Sequence, residues 1–285
     1  MFRATKQPGK RLIPLLILCL LAAAGTYSAW DALSRSKQRY KAGLAAALEN
    51  RGDDIRRFHQ ASSGNLIAHG GGVGPYLYTN SAEAFADSQA RGFSFVEFDL
   101  LVTADRHLLA AHDWDMFCQF TGSRGTPGTL DAALQLKING NQTPLSGRMI
   151  HELMLQHPEM VLVTDKVSDF ELLLQEIPLP QRMIVEVFSP QDYVRALKAG
   201  IWYPAFCISH SIALQQAIEH QYPIITISAV LFLEHLDTMR QLHHQKVCIM
   251  VYGTEELDCR QFIREHLGTS ASLIYTSTIS PSDLP

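Results

Sequence analysis

The run Phe95-Val96-Glu97-Phe98-Asp99-Leu100 is followed, after Leu101-Val102-Thr103-Ala104-Asp105-Arg106, by His107-Leu108-Leu109-Ala110-Ala111-His112. Both runs are apolar and of strand length, and only six residues separate Leu100 from His107. A crossover between parallel strands needs a dozen or more residues, so these two runs must pair as an antiparallel hairpin. Such a hairpin carries His112 back almost opposite Asp99.

Working outward, the chain alternates strand and helix. Further strands are expected at 65–69, 160–165, 182–188, 204–209, 223–228, 246–251 and 272–276. Helices are expected at 81–91, 146–156, 168–176, 190–199, 211–220, 230–242 and 255–266, with Ser146, Ser168, Ser189 and Ser209 or Ser211 at N-cap positions. Alternation of this length means a parallel sheet. Setting aside 107–112 as an excursion leaves eight parallel strands, the count of a (β/α)8 TIM barrel. The fold class is therefore α/β, with a β-hairpin excursion after the second strand. Residues 114–145, with many Gly, Pro, Thr and Asn, read as a long loop over the mouth, and Trp114, Met116 and Phe117 as a small apolar lid or packing within it.

Ahead of the barrel domain (61–285) come a basic segment (1–11), an uncharged apolar run from Leu12 to Trp30 and a polar, Ala-rich helical connector (31–60). The apolar run is close to the ~20 residues a helix needs to span a bilayer. It is read as a single-pass transmembrane helix that anchors the chain, with the barrel outside the cytoplasm, periplasmic or extracellular. The alternative is a cleaved signal peptide and a secreted domain. With 47% hydrophobic and 18% charged residues the chain is globular rather than disordered. A net charge of −4 excludes the basic surface that nucleic-acid binders need. The five cysteines show no zinc-ligand spacing.

In such a barrel the site lies at the C-terminal ends of the strands. His69 ends the first strand, Glu97 and Asp99 the second, Asp165 the next, and His112 returns beside them. Glu97 and Asp99, two apart, face the same way. Three carboxylates converging on one point require a cation, and oxygen ligands alone point to a hard ion, Mg²⁺ or Ca²⁺. Histidines flanking that ion suit proton transfer. Glu186, a charge inside an apolar strand, is expected to face the mouth. His210 and Tyr252, at or just beyond strand ends, are candidate pocket residues. Asp113 either orients His112 or caps the loop after it. The remaining histidines are expected on exposed helices and loops.

The order Ala68-His69-Gly70-Gly71-Gly72, Asn80-Ser81 opening a helix with Ala84-Phe85, Glu97-x-Asp99, His112-Asp113, Thr143-Pro144-Leu145 and Thr164-Asp165-Lys166 closely resembles the glycerophosphodiester phosphodiesterase family. This is the barrel clan that includes phosphatidylinositol phospholipases C. The resemblance runs from about Leu66 to the C-terminus. It implies His69 and His112 as the general acid and base, Glu97 and Asp99 as metal ligands, and Asp165 as the third, in place of the Glu of a Glu-x-Lys. It also implies Lys166 as a phosphate contact. Two positions depart from the pattern. Gly70 stands where the family has a phosphate-binding Arg, and Thr79 where it has a Glu. Lys166, or the backbone N–H groups from Gly70 to Gly72, would then take over that contact.

The function implied is metal-dependent hydrolysis of a small phosphodiester or lipid head group, at a membrane reached through the N-terminal helix. The alternatives are a phospholipase of C or D type acting on intact lipid, and a catalytically silent barrel that binds a phosphorylated glycan or lipid.

Overall fold

The computed structural model describes residues 65–284 together with Arg35, Gln38 and Phe58. The apolar run 12–30 and nearly all of the connector lie outside the described residues. Among the described residues no helix is long and apolar enough to cross a membrane.

Among the described residues nine strands form one sheet: β1 (Leu66–Ala68), β2 (Phe95–Val102), β3 (Leu108–Ala110), β4 (Val161–Asp165), β5 (Met183–Val187), β6 (Tyr203–Ile208), β7 (Ile224–Ser228), β8 (Cys248–Tyr252) and β9 (Leu273–Thr276). Eight are parallel, and the sheet closes on itself because β1 pairs with β2 on one side and β9 on the other. β3 alone is antiparallel, in register Leu100↔Ala110 and Val102↔Leu108 on β2. The chain is thus a TIM barrel with the expected hairpin. Its turn is held by Thr103 N–H on the His107 carbonyl (2.9 Å) and by Arg106 in a left-handed conformation (φ 61).

Apart from the polar residues that face the cavity, such as Glu97, Asp99, Asp165 and Glu186, the strands are mainly apolar because a parallel barrel is covered on both faces. The outer face packs on helices, as where Phe98 of β2 meets Phe85 of the helix Ala82–Ala90 (ring centroids 6.5 Å). Residues such as Leu162, Val163, Ile184, Val185 and Ile225 are at most 1% exposed. Burying each such side chain contributes roughly 1.5–3 kcal/mol. At the N-terminal ends of the strands Phe58 is buried edge-on against Phe95 (5.9 Å) and Tyr203 (5.1 Å).

Several local expectations are corrected. Residues 114–145 are not a bare loop: they hold the helices Trp114–Thr121 and Leu130–Leu134. Phe117, Ala133 and Ile138 form a small core there with Leu109 and Ala111 of the hairpin. The helical spacing of Trp114, Phe117 and Phe120 outweighs the Gly and Pro content around it. The helix Phe170–Glu176 is capped by Asp169 rather than Ser168, and the helix Ser211–His220 by His210 rather than a serine. The span expected as one helix at 230–242 is two, Ala229–Glu234 and Leu236–His244, broken at His235. His243 and His266 are buried, His266 against Phe232 and Phe262.

Candidate active site

The cavity at the C-terminal ends of the strands has a volume of about 390 Å³. It is lined by His69, Tyr78, Glu97, Asp99, His112, Met116, Asp165, Lys166, Glu186, Phe188, Cys207, Tyr252 and Tyr275. The barrel's pairing places the acidic residues: Asp99 of β2 lies beside Asp165 of β4, and Glu97 is two residues down the same strand. Glu97, Asp99 and Asp165 each present an oxygen within 4.8 Å of the others.

Each carboxylate is held differently. Glu97 accepts the Gly70 N–H on Oε2 at 2.7 Å. Asp99 is gripped at both ends by Asn80: its backbone N–H donates to Asn80 Oδ1 and its Oδ2 accepts from Asn80 Nδ2, both at 3.0 Å. Its other oxygen accepts from Lys166 Nζ. Asp165 Oδ1 is buried with no hydrogen-bond partner. Burial, with Asp99 and Asp165 beside it, pushes Glu97 well above the usual carboxylate range. Burial, Asp99 and Glu186 push Asp165 up to about 8. Burial also opposes ionisation of Asp99, but Lys166 and Asn80 hold it below its ordinary value. Burial raises Glu186 to about 7, against the hydrogen bond it accepts from the Tyr275 hydroxyl.

Both histidines are buttressed. His112 Nδ1 lies 2.6 Å from Asp113 Oδ2, while Asp113 Oδ1 accepts the Met116 N–H at 2.7 Å, so Asp113 both orients the ring and caps the next helix. His112 arrives there because β3 ends beside β2, with Ala111 N–H on the Asp99 carbonyl at 2.9 Å. The His69 ring is held edge-on between Tyr78 (centroids 4.7 Å) and Tyr275 (5.4 Å).

The structure therefore brings His69, Glu97, Asp99, His112, Asp165, Lys166, Glu186 and Tyr252 together around one cavity. Two expected residues behave otherwise. His210 is absent from the lining, because its Nδ1 accepts the Ala213 N–H (3.2 Å) as a helix N-cap. Gly70 is not a free anion donor, because its N–H is committed to Glu97. Lys166, left-handed at φ 61, lines the cavity and donates to Asp99 with one of its three ammonium N–H bonds. Sequence reading missed Tyr78, Tyr275 and Phe188. Tyr275 carried a usable signal, a hydroxyl at the C-terminal end of a buried strand. Tyr78 carried none, since it sits on a loop.

Residues 59–172 match the model of the glycerophosphoryl diester phosphodiesterase family. Among curated proteins none matches the chain. The fold is that of several solved structures. A glycerophosphoryl diester phosphodiesterase from Parabacteroides distasonis has a TM-score of 0.62 at 17% identity, covering 81% of this chain and 89% of that one. A glycerophosphodiester phosphodiesterase from Thermotoga maritima has 0.58 at 15%, covering 75% and 94%. An Oleispira antarctica phosphodiesterase, solved with the product sn-glycerol-3-phosphate, has 0.57 at 16%, covering 74% and 92%.

Proposed function

We propose that this chain, whose residues 59–172 match the glycerophosphoryl diester phosphodiesterase family model, is a phosphoric diester hydrolase that cleaves glycerophosphodiesters or related lipid head-group diesters with His69 and His112 as the proton-exchanging pair. The observation that carries the reading is the meeting, in one cavity, of three carboxylates within 4.8 Å of one another and two histidines, one of them 2.6 Å from a carboxylate.

The donor set fits a hard divalent cation, Mg²⁺ or Ca²⁺. Four carboxylates line the cavity against one lysine, and a buried oxygen of Asp165 is left without a partner. Glu97, Asp99 and Asp165 would hold the ion. When bound, it would supply charge neutralisation and polarisation of a phosphoryl oxygen.

The protein's own residues carry the rest. One histidine takes a proton from the attacking hydroxyl, either water or a neighbouring hydroxyl of the substrate, as that oxygen bonds to phosphorus. The other delivers a proton to the departing alkoxide as its P–O bond breaks. Asp113 steadies His112 in either role. Hydrolysis of the diester then yields a phosphomonoester and an alcohol, and a cyclic intermediate formed by the neighbouring hydroxyl would be opened by water with the roles reversed.

A cavity of about 390 Å³ lies near the lower end of the ~300–1,000 Å³ typical of ligand sites, which favours a compact diester over an intact two-chain lipid. The carboxylate partner of His112 argues against a silent barrel. The apolar run 12–30 would tether the site at a membrane face outside the cytoplasm, a reading that rests on sequence alone.

The deciding experiment incubates the purified full-length chain with glycerophosphocholine, glycerophosphoglycerol and phosphatidylcholine, with and without added Mg²⁺ or Ca²⁺. Release of sn-glycerol-3-phosphate or free alcohol from the glycerophosphodiesters alone is expected. Turnover of phosphatidylcholine at a comparable rate would favour the phospholipase reading, and no turnover of any diester would favour the silent barrel.

A further inference from the structure

His112 finds its carboxylate next door in sequence. The carboxylate beside His69 comes from a segment remote in sequence, the turn Thr254–Glu256 after β8, which lies two strands round the barrel from β1 with β9 between them. We propose that Glu255 is a positioning residue for His69, holding Nδ1 so that Nε2 is the nitrogen available to the cavity. This rests on reading His69 as one of the acid–base pair.

The geometry is specific. His69 Nδ1 lies 3.6 Å from Glu255 Oε1 and is otherwise buried without a hydrogen-bond partner. Tyr78 and Tyr275 meet the ring edge-on at 77° and 70°, which limits how far it can turn. Glu255 is itself aimed, because Ser277 Oγ donates to the same Oε1 at 2.7 Å. The turn carrying it starts from left-handed Gly253 (φ 72) and is pinned by Thr254 Oγ1 on the Tyr275 carbonyl at 2.9 Å. The Ser277 carbonyl in turn accepts the Gly74 N–H at 3.1 Å, tying the same corner to the segment just after His69. Burial works against the Glu255 charge, yet the contacts with His69 and Ser277 more than offset it and keep the carboxyl below its ordinary value.

A carboxylate at Nδ1 fixes the tautomer and steadies the imidazolium formed when Nε2 takes a proton, without itself being protonated. Asp113 does this for His112 within two residues of chain. Glu255 would do it for His69 from two strands along the barrel rim. A merely structural Glu255 would hold Ser277 and leave chemistry untouched.

The test measures kcat and KM for glycerophosphocholine with the full-length chain, comparing wild type, Glu255→Gln, His69→Ala and the double variant, with thermal melts of each. Glu255→Gln is expected to lower kcat roughly 10- to 100-fold while KM and the melting temperature stay near wild type. The double variant should be no worse than His69→Ala alone, because the two residues act as a unit. If Glu255→Gln folds poorly, Glu255→Asp keeps the charge and should recover part of kcat. Wild-type kcat in Glu255→Gln while His69→Ala is inactive would overturn the role of Glu255. Wild-type kcat in His69→Ala would instead overturn the acid–base reading on which that role rests.

Discussion

The backbone of Tyr78 lies directly over Gly70: a Cβ on residue 70 would stand 2.5 Å from the Tyr78 Cα. Gly70 is also left-handed (φ 59), and its carbonyl accepts the Asn80 N–H at 2.9 Å. The residue that departs from the family pattern is therefore built into this site, with Tyr78 over it and its own N–H turned to Glu97.

Restoring the family's arginine should accordingly fail. Gly70→Arg would have to displace Tyr78 and adopt a disfavoured conformation. The conformational cost is about 1–3 kcal/mol before the clash is counted, and each kcal/mol lowers Tm by about 2–4 °C in a domain of this size. Thermal melts and kcat/KM should both fall. A stable, more active Gly70→Arg enzyme would show that the Tyr78 contact is unimportant.

Asp113→Ala should act on stability and on chemistry at once. Losing the cap at Met116 costs about 1 kcal/mol, while losing the partner of His112 should cut kcat. His112→Ala should lower kcat by roughly 10²- to 10⁴-fold with little change in Tm, since His112 caps nothing. Melts and kinetics run side by side would separate the two effects.

Chelation should give the protein a pH-dependent stability of defined sign. Without a cation, Asp165 holds its proton up to about 8 and Glu186 up to about 7. In the unfolded chain both are released near pH ~4. Between these limits the native state binds more protons than the unfolded state, so stability falls as pH rises from about 4 to 8. Scanning calorimetry in EDTA should show Tm declining over that interval, and added Mg²⁺ or Ca²⁺ should raise Tm most at pH 8. A flat or rising profile in EDTA would contradict the uncompensated cluster.

Glu176 offers a test of how the excursion serves the site. Buried at 2% exposure, it accepts from His107 Nδ1 (2.7 Å) and from the Leu108 N–H (3.1 Å), fastening β3 to the helix Phe170–Glu176. Glu176→Ala leaves a buried N–H unpaired, at a cost of about 1–3 kcal/mol. Because β3 delivers His112, kcat should fall too, although Glu176 is far from the cavity in the chain and absent from its lining. Loss of stability with kcat intact would mean that His112 is held by Asp113 alone.

The barrel could be read from the chain because its signals are local. Apolar runs recur at crossover spacing, and the short Leu100-to-His107 link admits only a hairpin. The same locality made Glu97, Asp99, Asp165, His69 and His112 legible, since strand ends in this fold all point to one rim. What the chain could not reveal was how each polar group would be spent. Whether the Gly70 N–H faces an anion or Glu97, and whether Lys166 also pairs with Asp99, depends on which partner lies nearest after folding. His210 followed a strand as a pocket residue would, yet capping the Ala213 N–H claimed its ring. Glu255 approaches His69 from a segment remote in sequence, and only the β8–β9 and β9–β1 pairings bring it there, while Tyr78 folds back from the loop just after His69. Local periodicity determined the scaffold and the donor list. Competition among buried hydrogen bonds, decided only in three dimensions, determined which groups remain free for chemistry.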